Sequence, residues 1–474
     1  MLKLIKNAFY SFLDPPNNNL GRAGRGLYQD ELLIDRKNIP SALFQNEGLY
    51  LGKTLDKKNS YFRHSGEHHI LTIGSTGSGK GRGCVIPNLL TYPHSVIVLD
   101  VKGENHRLSN LARQKMGHQI IRLDPFDIEI EGSGASSLNP LELLDTTSSD
   151  ISDQAGILAE AIVMNSFQDR DPHWAEKAKG IIKGLILFIC TYAEPCDRHL
   201  GSLREILMAP ESEFLSYLEL MSQSDLCGGL LRRFASEYAK MGNMERPSVM
   251  SNAIKHTSFL ESPSVIKSLT SSKNSFNLTD LIHKKVSVYL IIPPDKLAIY
   301  GPLMRVWLSV LLQTLISRGC VPPTSPRIVF FLDEVAQLGR MDQLVKAVSL
   351  LRGYGMVLNF FYQDLGQMKS IYPHDEWRTF MSNCGVKQFF GINDFETAKL
   401  VSDLLGKKTV QTFNRSHSDS HQGTGSFSNG SSDREREVMT ATEILRLPRD
   451  EMFLFLSGIL PIKARRLDYL TDKF

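Results

Sequence analysis

Cysteine is sparse and unpatterned in this chain: six residues in 474 (Cys84, Cys190, Cys196, Cys227, Cys320, Cys384), with no C-x-x-C pair. Cys190, Cys196 and His199 fall near one another, but their spacing matches no zinc pattern. A disulfide framework and a zinc module are therefore excluded, and buried free thiols in a reducing compartment are the plain reading. Long uncharged apolar runs are missing too, since none reaches the ~18–20 residues that span a bilayer. The best candidate, Gly180 to Ala193, carries Lys183 and reads as a core helix. Met1 to Leu13 is apolar with Lys3 and Lys6, but no small-residue cleavage site follows, which excludes a secretory leader. It reads as a packed or frayed terminal helix, or as one lying on a membrane surface. Nothing in the sequence directs the chain out of the cytoplasm. Charge of one sign is also lacking: 54 Lys and Arg oppose 51 Asp and Glu, for a net +3. Composition alone does not announce a nucleic-acid binder. The local basic runs Arg232-Arg233 and Lys463-Ala464-Arg465-Arg466 read as solvated faces. No internal repeat is visible, and the length is that of about three domains.

What is present is a short run of unusual chemistry. Ile70-Leu71-Thr72-Ile73 reads as a buried strand that opens into Gly74-Ser75-Thr76-Gly77-Ser78-Gly79-Lys80-Gly81-Arg82, after which a helix runs from Lys80 towards Leu90. Strand, glycine-rich loop and helix start form a concavity of backbone N–H groups suited to phosphate anions. Gly77 and Gly79 permit positive φ and close approach of the backbone. Lys80 would reach the β- and γ-phosphates. The pattern G-x-x-x-x-G-K is met, but Gly81 stands where Ser or Thr normally offers a hydroxyl to Mg²⁺. The alternative of a simple turn is outweighed by strand, spacing and Lys together. A Rossmann dehydrogenase is disfavoured, because Lys follows the last required Gly and no distinctive ribose-binding acid follows.

The chain divides by texture. Residues 1–49 are irregular, with Pro15-Pro16-Asn17-Asn18-Asn19 and several glycines as breakers. Residues 50–150 alternate strand and helix, with strands at Ser95 to Asp100 and Gln119 to Leu123. Residues 151–264 carry helical periodicity and no convincing strand, the expected signature of an inserted all-α domain. Strands return in residues 265–474 at Val286 to Ile292, Arg327 to Asp333, Val357 to Tyr362 and Val386 to Phe390, with a long helix (Leu303 to Ser317) between the first two. The expected fold class is therefore α/β, a mostly parallel sheet buried on both faces and built from sequence on both sides of the helical insert. Residues 414–433, rich in Ser, Gly and His, read as a flexible loop rather than a metal site.

A phosphate loop needs an acid at the end of a neighbouring strand. Two candidates compete: Asp100, in Leu99-Asp100-Val101-Lys102-Gly103-Glu104, and Asp333-Glu334, which closes the apolar strand Ile328 to Leu332. The second is the better Walker B pattern, with Asp333 as the metal ligand and Glu334 polarising the attacking water. Gln363, closing the strand Val357 to Tyr362, can sense the γ-phosphate or orient that water, with a plain surface Gln as the alternative. Arg352 is a candidate arginine finger for a neighbouring subunit's nucleotide.

With these residues in place, the chain resembles the type IV coupling proteins (TraG/TraD-like). The resemblance rests on Gly74 to Gly81 continuing through Val85-Ile86-Pro87-Asn88-Leu89-Leu90. It extends to Asp100-Val-Lys-Gly-Glu104, Asp171-Pro-His-Trp174, Leu332-Asp-Glu-Val335 and Tyr362-Gln-Asp364, in the same order over residues 50–470. It implies a RecA-like ATPase of the FtsK/HerA kind with an all-α domain between the phosphate loop and Walker B. Lys80 and its loop would bind ATP, Asp333 would hold Mg²⁺, Glu334 would be the catalytic base and Gln363 the sensor. It further implies a homo-hexamer at the cytoplasmic face of the bacterial inner membrane, engaging the type IV secretion machinery and passing on single-stranded DNA with its relaxase, or protein substrates. Related proteins also carry Gly at the position of Gly81. Most begin with transmembrane helices, which this chain lacks; a soluble subtype, a shortened member, or one held by a membrane partner is expected. A nucleotide-dependent substrate receptor or scaffold with little turnover is the second reading, and a chromosome-partitioning or pilus-type ATPase fits the 80–104 block less well.

Overall fold

The computed structural model describes residues 39–56, 60–127, 134–164, 172–418 and 426–474, with the backbone alone between 411 and 432. Met1–Leu13 and Asp171 lie outside the described residues, as does the centre of the 414–433 segment. Thirteen strands are described: β1 (Leu49–Lys53), β2 (Tyr61–His64), β3 (Ile70–Ile73), β4 (Val96–Asp100), β5 (Gln119–Leu123), β6 (Val286–Ile291), β7 (Ile328–Leu332), β8 (Met356–Tyr362), β9 (Val386–Phe389), β10 (Lys407–Ser418), β11 (Ser426–Glu437), β12 (Glu451–Leu456) and β13 (Ile462–Arg465). Eleven form one sheet in the order β2-β1-β13-β12-β9-β3-β8-β7-β4-β6-β5. The seven strands from β9 to β5 are parallel. The four from β12 to β2 extend the sheet antiparallel.

Continuous apolar sequence produces the parallel part. β4, β6, β7 and β8 are buried at every position, and successive side chains enter opposite layers. Val96, Val98, Val329, Phe331, Val357 and Phe361 pack on one face with Ile86 and Leu89. Ile97, Leu99, Phe330, Leu332, Leu358 and Phe360 join the larger core on the other face. Strands covered on both faces need no polar alternation, which is why they are legible as runs.

Between Leu123 and Val286 the described elements are helical, from Ile151–Ile162 through Pro172–Tyr192 to Glu245–His256 and Pro263–Ser268. Cys227, Gly228 and Gly229 have φ of 51°, 65° and 73°, so regular right-handed turns of the Leu226–Lys240 helix begin at Leu230. The Leu297–Ser317 helix is long and apolar enough to cross a membrane, but most of it is buried among these helices and the sheet. Within it Arg305, 3% exposed, donates to four carbonyls. Two belong to the end of the Ile151–Ile162 helix, Glu160 (3.2 Å) and Ala161 (2.9 Å); two follow β7, Leu338 (3.0 Å) and Arg340 (2.5 Å).

Three expectations are corrected. Much of 414–433 belongs to an antiparallel ladder, β10 against β11, in register from Lys407↔Glu437 to Ser418↔Ser426. A low apolar content argues against a core but not against backbone pairing, which satisfies its own N–H and C=O groups. The basic run at 463–466 is not uniformly solvated: Lys463 and Arg465 pair with Glu451 and Asp450, whereas Arg466 turns inward. Of the cysteines, Cys84, Cys190 and Cys384 are buried, but Cys196 and Cys320 are exposed.

Candidate nucleotide-binding site

The loop after β3 is anchored on both sides by strand ends. Gly74 N–H donates to Tyr362 C=O at the end of β8 (3.0 Å), and Ser75 N–H to Gly391 C=O beyond β9 (3.3 Å). Gly77 and Gly79 have φ of +73° and +89°, left-handed values that glycine adopts without a Cβ penalty. The Lys80 ammonium reaches back inside the arc to the carbonyls of Gly74 (2.7 Å) and Ser75 (3.3 Å). Asn393 donates to Ser75 Oγ (3.1 Å).

The helix that follows starts wide. Gly81–Val85 form a π-turn closed by Ile86 N–H on Gly81 C=O, and α-geometry begins at Ile86–Thr91. Because Ile86 bonds Gly81 and Pro87 has no N–H, the Arg82 carbonyl is left without a helical donor and accepts from Tyr469 N–H instead (3.3 Å). Asn88, 2% exposed, fixes the helix to β1. Its side chain accepts from Tyr50 N–H (2.7 Å) and donates to the Tyr50 (3.0 Å) and Cys84 (2.7 Å) carbonyls.

Acidic groups line the neighbouring strand ends. β4 and β7 are paired in parallel with Leu99 opposite Leu332, which sets Asp100 and Asp333 side by side. The sequence posed these as competitors; both face one cleft of about 620 Å³ with Thr76, Lys80, Arg82 and Glu334. Burial, reinforced by Asp333, lifts Asp100 to about 7 although His106 N–H bonds its carboxylate (2.8 Å). Burial, then repulsion from Glu334, lifts Asp333 to about 6 against the pull of Lys80. Glu334 sits in the left-handed region, φ +53°, which for a non-glycine residue costs about 1–3 kcal/mol and commonly marks function. Gln363 Nε2 donates to Glu334 Oε2 (3.2 Å), while Gln367 Oε1 accepts from the Gln363 backbone (2.9 Å). A buried carboxylate (Asp100) and a half-buried one beside it (Asp333), both raised above the ordinary acid range, are a hard-oxygen donor pair of the kind Mg²⁺ takes alongside phosphates. The residues present fit that metal.

Arg352 is not part of this group. It lies before the first residue of β8, at the sheet edge opposite the loop, where it donates to Asn383 C=O (3.4 Å). Conversely, residues to which the sequence assigned no role close the cleft: Lys102 and Glu104, which stood there only as members of a motif, and Tyr469 and Leu470, which carried no signal. The segment after β13 lies on the phosphate loop. Arg466 donates to Ser78 C=O, Asp468 takes Arg82 in a two-bonded pair (2.6 and 2.7 Å), and Tyr469 N–H reaches Arg82 C=O (3.3 Å).

A parallel sheet with a phosphate loop after one central strand, β3, and acids after β7 and β4, two and three strands along on one side of it, defines a P-loop protein of RecA-like α/β fold. The chain belongs to the family described as Type IV secretory system Conjugative DNA transfer, whose model matches residues 25–474. It is similar to a conjugal transfer protein TraG of Escherichia coli, 30% identical over 93% of this chain and 72% of that protein. It is also similar to protein VirD4 of Agrobacterium fabrum (strain C58 / ATCC 33970), 25% identical over 99% of this chain and 68% of the relative. Among solved structures, the bacterial conjugative coupling protein TrwBdeltaN70 shares the fold with a TM-score of 0.65. It is 17% identical, over 89% of this chain and 90% of that one.

Proposed function

We propose that the chain is an ATP-hydrolysing coupling protein that drives single-stranded DNA with its relaxase, or protein substrates, into a type IV secretion or conjugation channel. The observation that carries this reading is the convergence on one cleft of Lys80 with Asp333 and Glu334, which follow it by 253 and 254 residues in the chain. Similarity to a plasmid coupling protein solved with ADP and Mg²⁺ supports the cofactor assignment. The backbone N–H groups of 74–82 would hold the phosphates, and Lys80 would leave the loop carbonyls to meet the terminal one. Asp333, with Asp100 beside it, would hold Mg²⁺, whose charge offsets that developing on the transferred phosphoryl. Asp100 supplies a donor that Gly81 cannot. Glu334 would orient and polarise the attacking water, and Gln363, hydrogen-bonded to it, would fix its position. Arg352, remote from its own cleft, would act only on the nucleotide of a neighbouring copy. That role fits a homo-hexamer docked at the cytoplasmic face of the inner membrane with its secretion partners.

The test is ATP turnover with Mg²⁺ across protein concentration, with and without single-stranded DNA. Turnover that rises cooperatively with concentration, and is abolished in Lys80→Ala and Glu334→Gln, supports the motor. Tight nucleotide binding without turnover under every condition supports the receptor reading instead.

A further inference from the structure

We propose that the segment Arg466–Leu470 forms the seat of the nucleotide's base, with the Tyr469 ring stacking on it; this rests on the nucleotide reading above and deepens it. Strand order supplies the direction. Gln363, Asp333-Glu334 and Asp100 follow β8, β7 and β4, all on one side of β3. The reacting end of a triphosphate points that way. Lys80 serves the β- and γ-phosphates while the loop backbone cradles the α- and β-phosphates. The sugar and base therefore leave the loop in the other direction, past Arg82.

The segment after β13 waits there, on the side of β3 that carries β9, β12 and β13. It is fixed to the loop at several points rather than draped over it. Arg466 bonds the Ser78 carbonyl, and its guanidinium lies over the Phe390 ring, 5.4 Å from the centroid. The Leu467 carbonyl sits so close to Gly83 that a Cβ there would stand 2.8 Å from it. Asp468 holds Arg82 through both carboxylate oxygens, and Tyr469 N–H closes on Arg82 C=O. These contacts leave the Tyr469 and Leu470 side chains on the cleft wall. Leu470 is 62% exposed. A single exposed leucine means little, but one placed beside an aromatic ring, where a phosphate loop hands its ligand outward, offers a flat apolar surface. Such a surface binds through the π-face that every base possesses. The anchoring contacts pre-organise it, so little ordering is lost on binding.

The experiment compares Mg²⁺-ATP with inorganic tripolyphosphate by titration calorimetry on the full chain. Tyr469→Ala should weaken ATP about tenfold, within the range of aromatic–base stacking, and leave tripolyphosphate unchanged. Tyr469→Trp should restore ATP, and Lys80→Ala should lose both ligands. Unchanged ATP affinity in Tyr469→Ala overturns the proposal. So does equal weakening of both ligands, which makes Tyr469 a brace for the loop. If the unsubstituted chain binds neither ligand, the nucleotide reading fails and the base seat fails with it.

Discussion

Arg305 is the residue through which the helical region and the acidic end of the cleft should prove physically joined. Its guanidinium is buried, and burial pulls it down to about 10, so it remains charged at neutral pH. Its charge is met by carbonyls: two terminal ones of the Ile151–Ile162 helix, where the helix dipole favours a cation, and two in the turn that follows Asp333-Glu334. Hydrogen bonds from a charged donor contribute ~1.5–3 kcal/mol each, and four of them exceed the several kcal/mol needed to desolvate the ion. Arg305→Met keeps the stem's packing but leaves the carbonyls without a donor in a dry interior. Breaking one side of a buried charged network costs ~3–5 kcal/mol, a large share of a typical total of ~5–15 kcal/mol. Arg305→Lys, whose three donors cannot span four carbonyls, should fall between. Urea unfolding gives the stability, and native-state hydrogen exchange over 151–162 and 335–340 gives the location. If Arg305→Met unfolds within ~1 kcal/mol of the parent and both segments keep their protection, the bridging argument is wrong.

Gly79→Ala should abolish nucleotide binding while leaving most of the fold: φ is +89° and the new Cβ would run into the Arg466 guanidinium, a strain of ~1–2 kcal/mol before the collision is counted. Calorimetric binding set beside far-UV melting reads this. Gln363→Ala, by freeing Glu334, should lower turnover about tenfold or more with little change in nucleotide affinity, measured as a kcat against KM split; an unchanged kcat refutes the role. With Asp100 at about 7 and Asp333 at about 6, against an unfolded 3.8, the native state holds protons that the unfolded state releases. The metal-free protein should therefore lose stability as pH rises from about 4 to about 7, and Asp100→Asn should flatten that slope in urea midpoints. His64, His69, His106 and His118, each pulled down to about 4 by burial, act oppositely, losing stability as pH falls from 6.5 towards 4. They cancel when parent and variant are compared. Mg²⁺-dependent nucleotide binding should strengthen as pH rises through the carboxylate window.

The sequence declared what is local and repetitive. β4, β6, β7 and β8 announce themselves because strands covered on both faces are unbroken apolar runs, and the phosphate loop because its glycines and lysine sit at fixed offsets. The antiparallel strands β1, β2, β12 and β13 did not: they are short, and Ile462–Arg465 alternates charge with apolar residues over only four positions. The choice between Asp100 and Asp333 was an artefact of reading along the chain. Pairing of β4 with β7 puts both acids at one corner, and pairing is not a property of either segment alone. Arg466, Asp468 and Tyr469 illustrate the hardest case. Nothing in Arg-Leu-Asp-Tyr distinguishes a cleft wall from a tail until β13 has found β1 and β12.

That last pairing has a bearing on how the protein comes into being. Lys53 on β1 is bonded to Asp472 across 419 residues (2.5 Å), and β1 has only β2 and β13 as sheet neighbours. On the ribosome, the β1–β2 hairpin must wait for β13 while nearly everything else emerges, a contact order that makes folding slow. The cleft gains its final wall only when translation reaches Tyr469. A nascent or prematurely ended chain would thus carry the phosphate loop without its last supports, and an exposed strand edge open to chaperones or to aggregation.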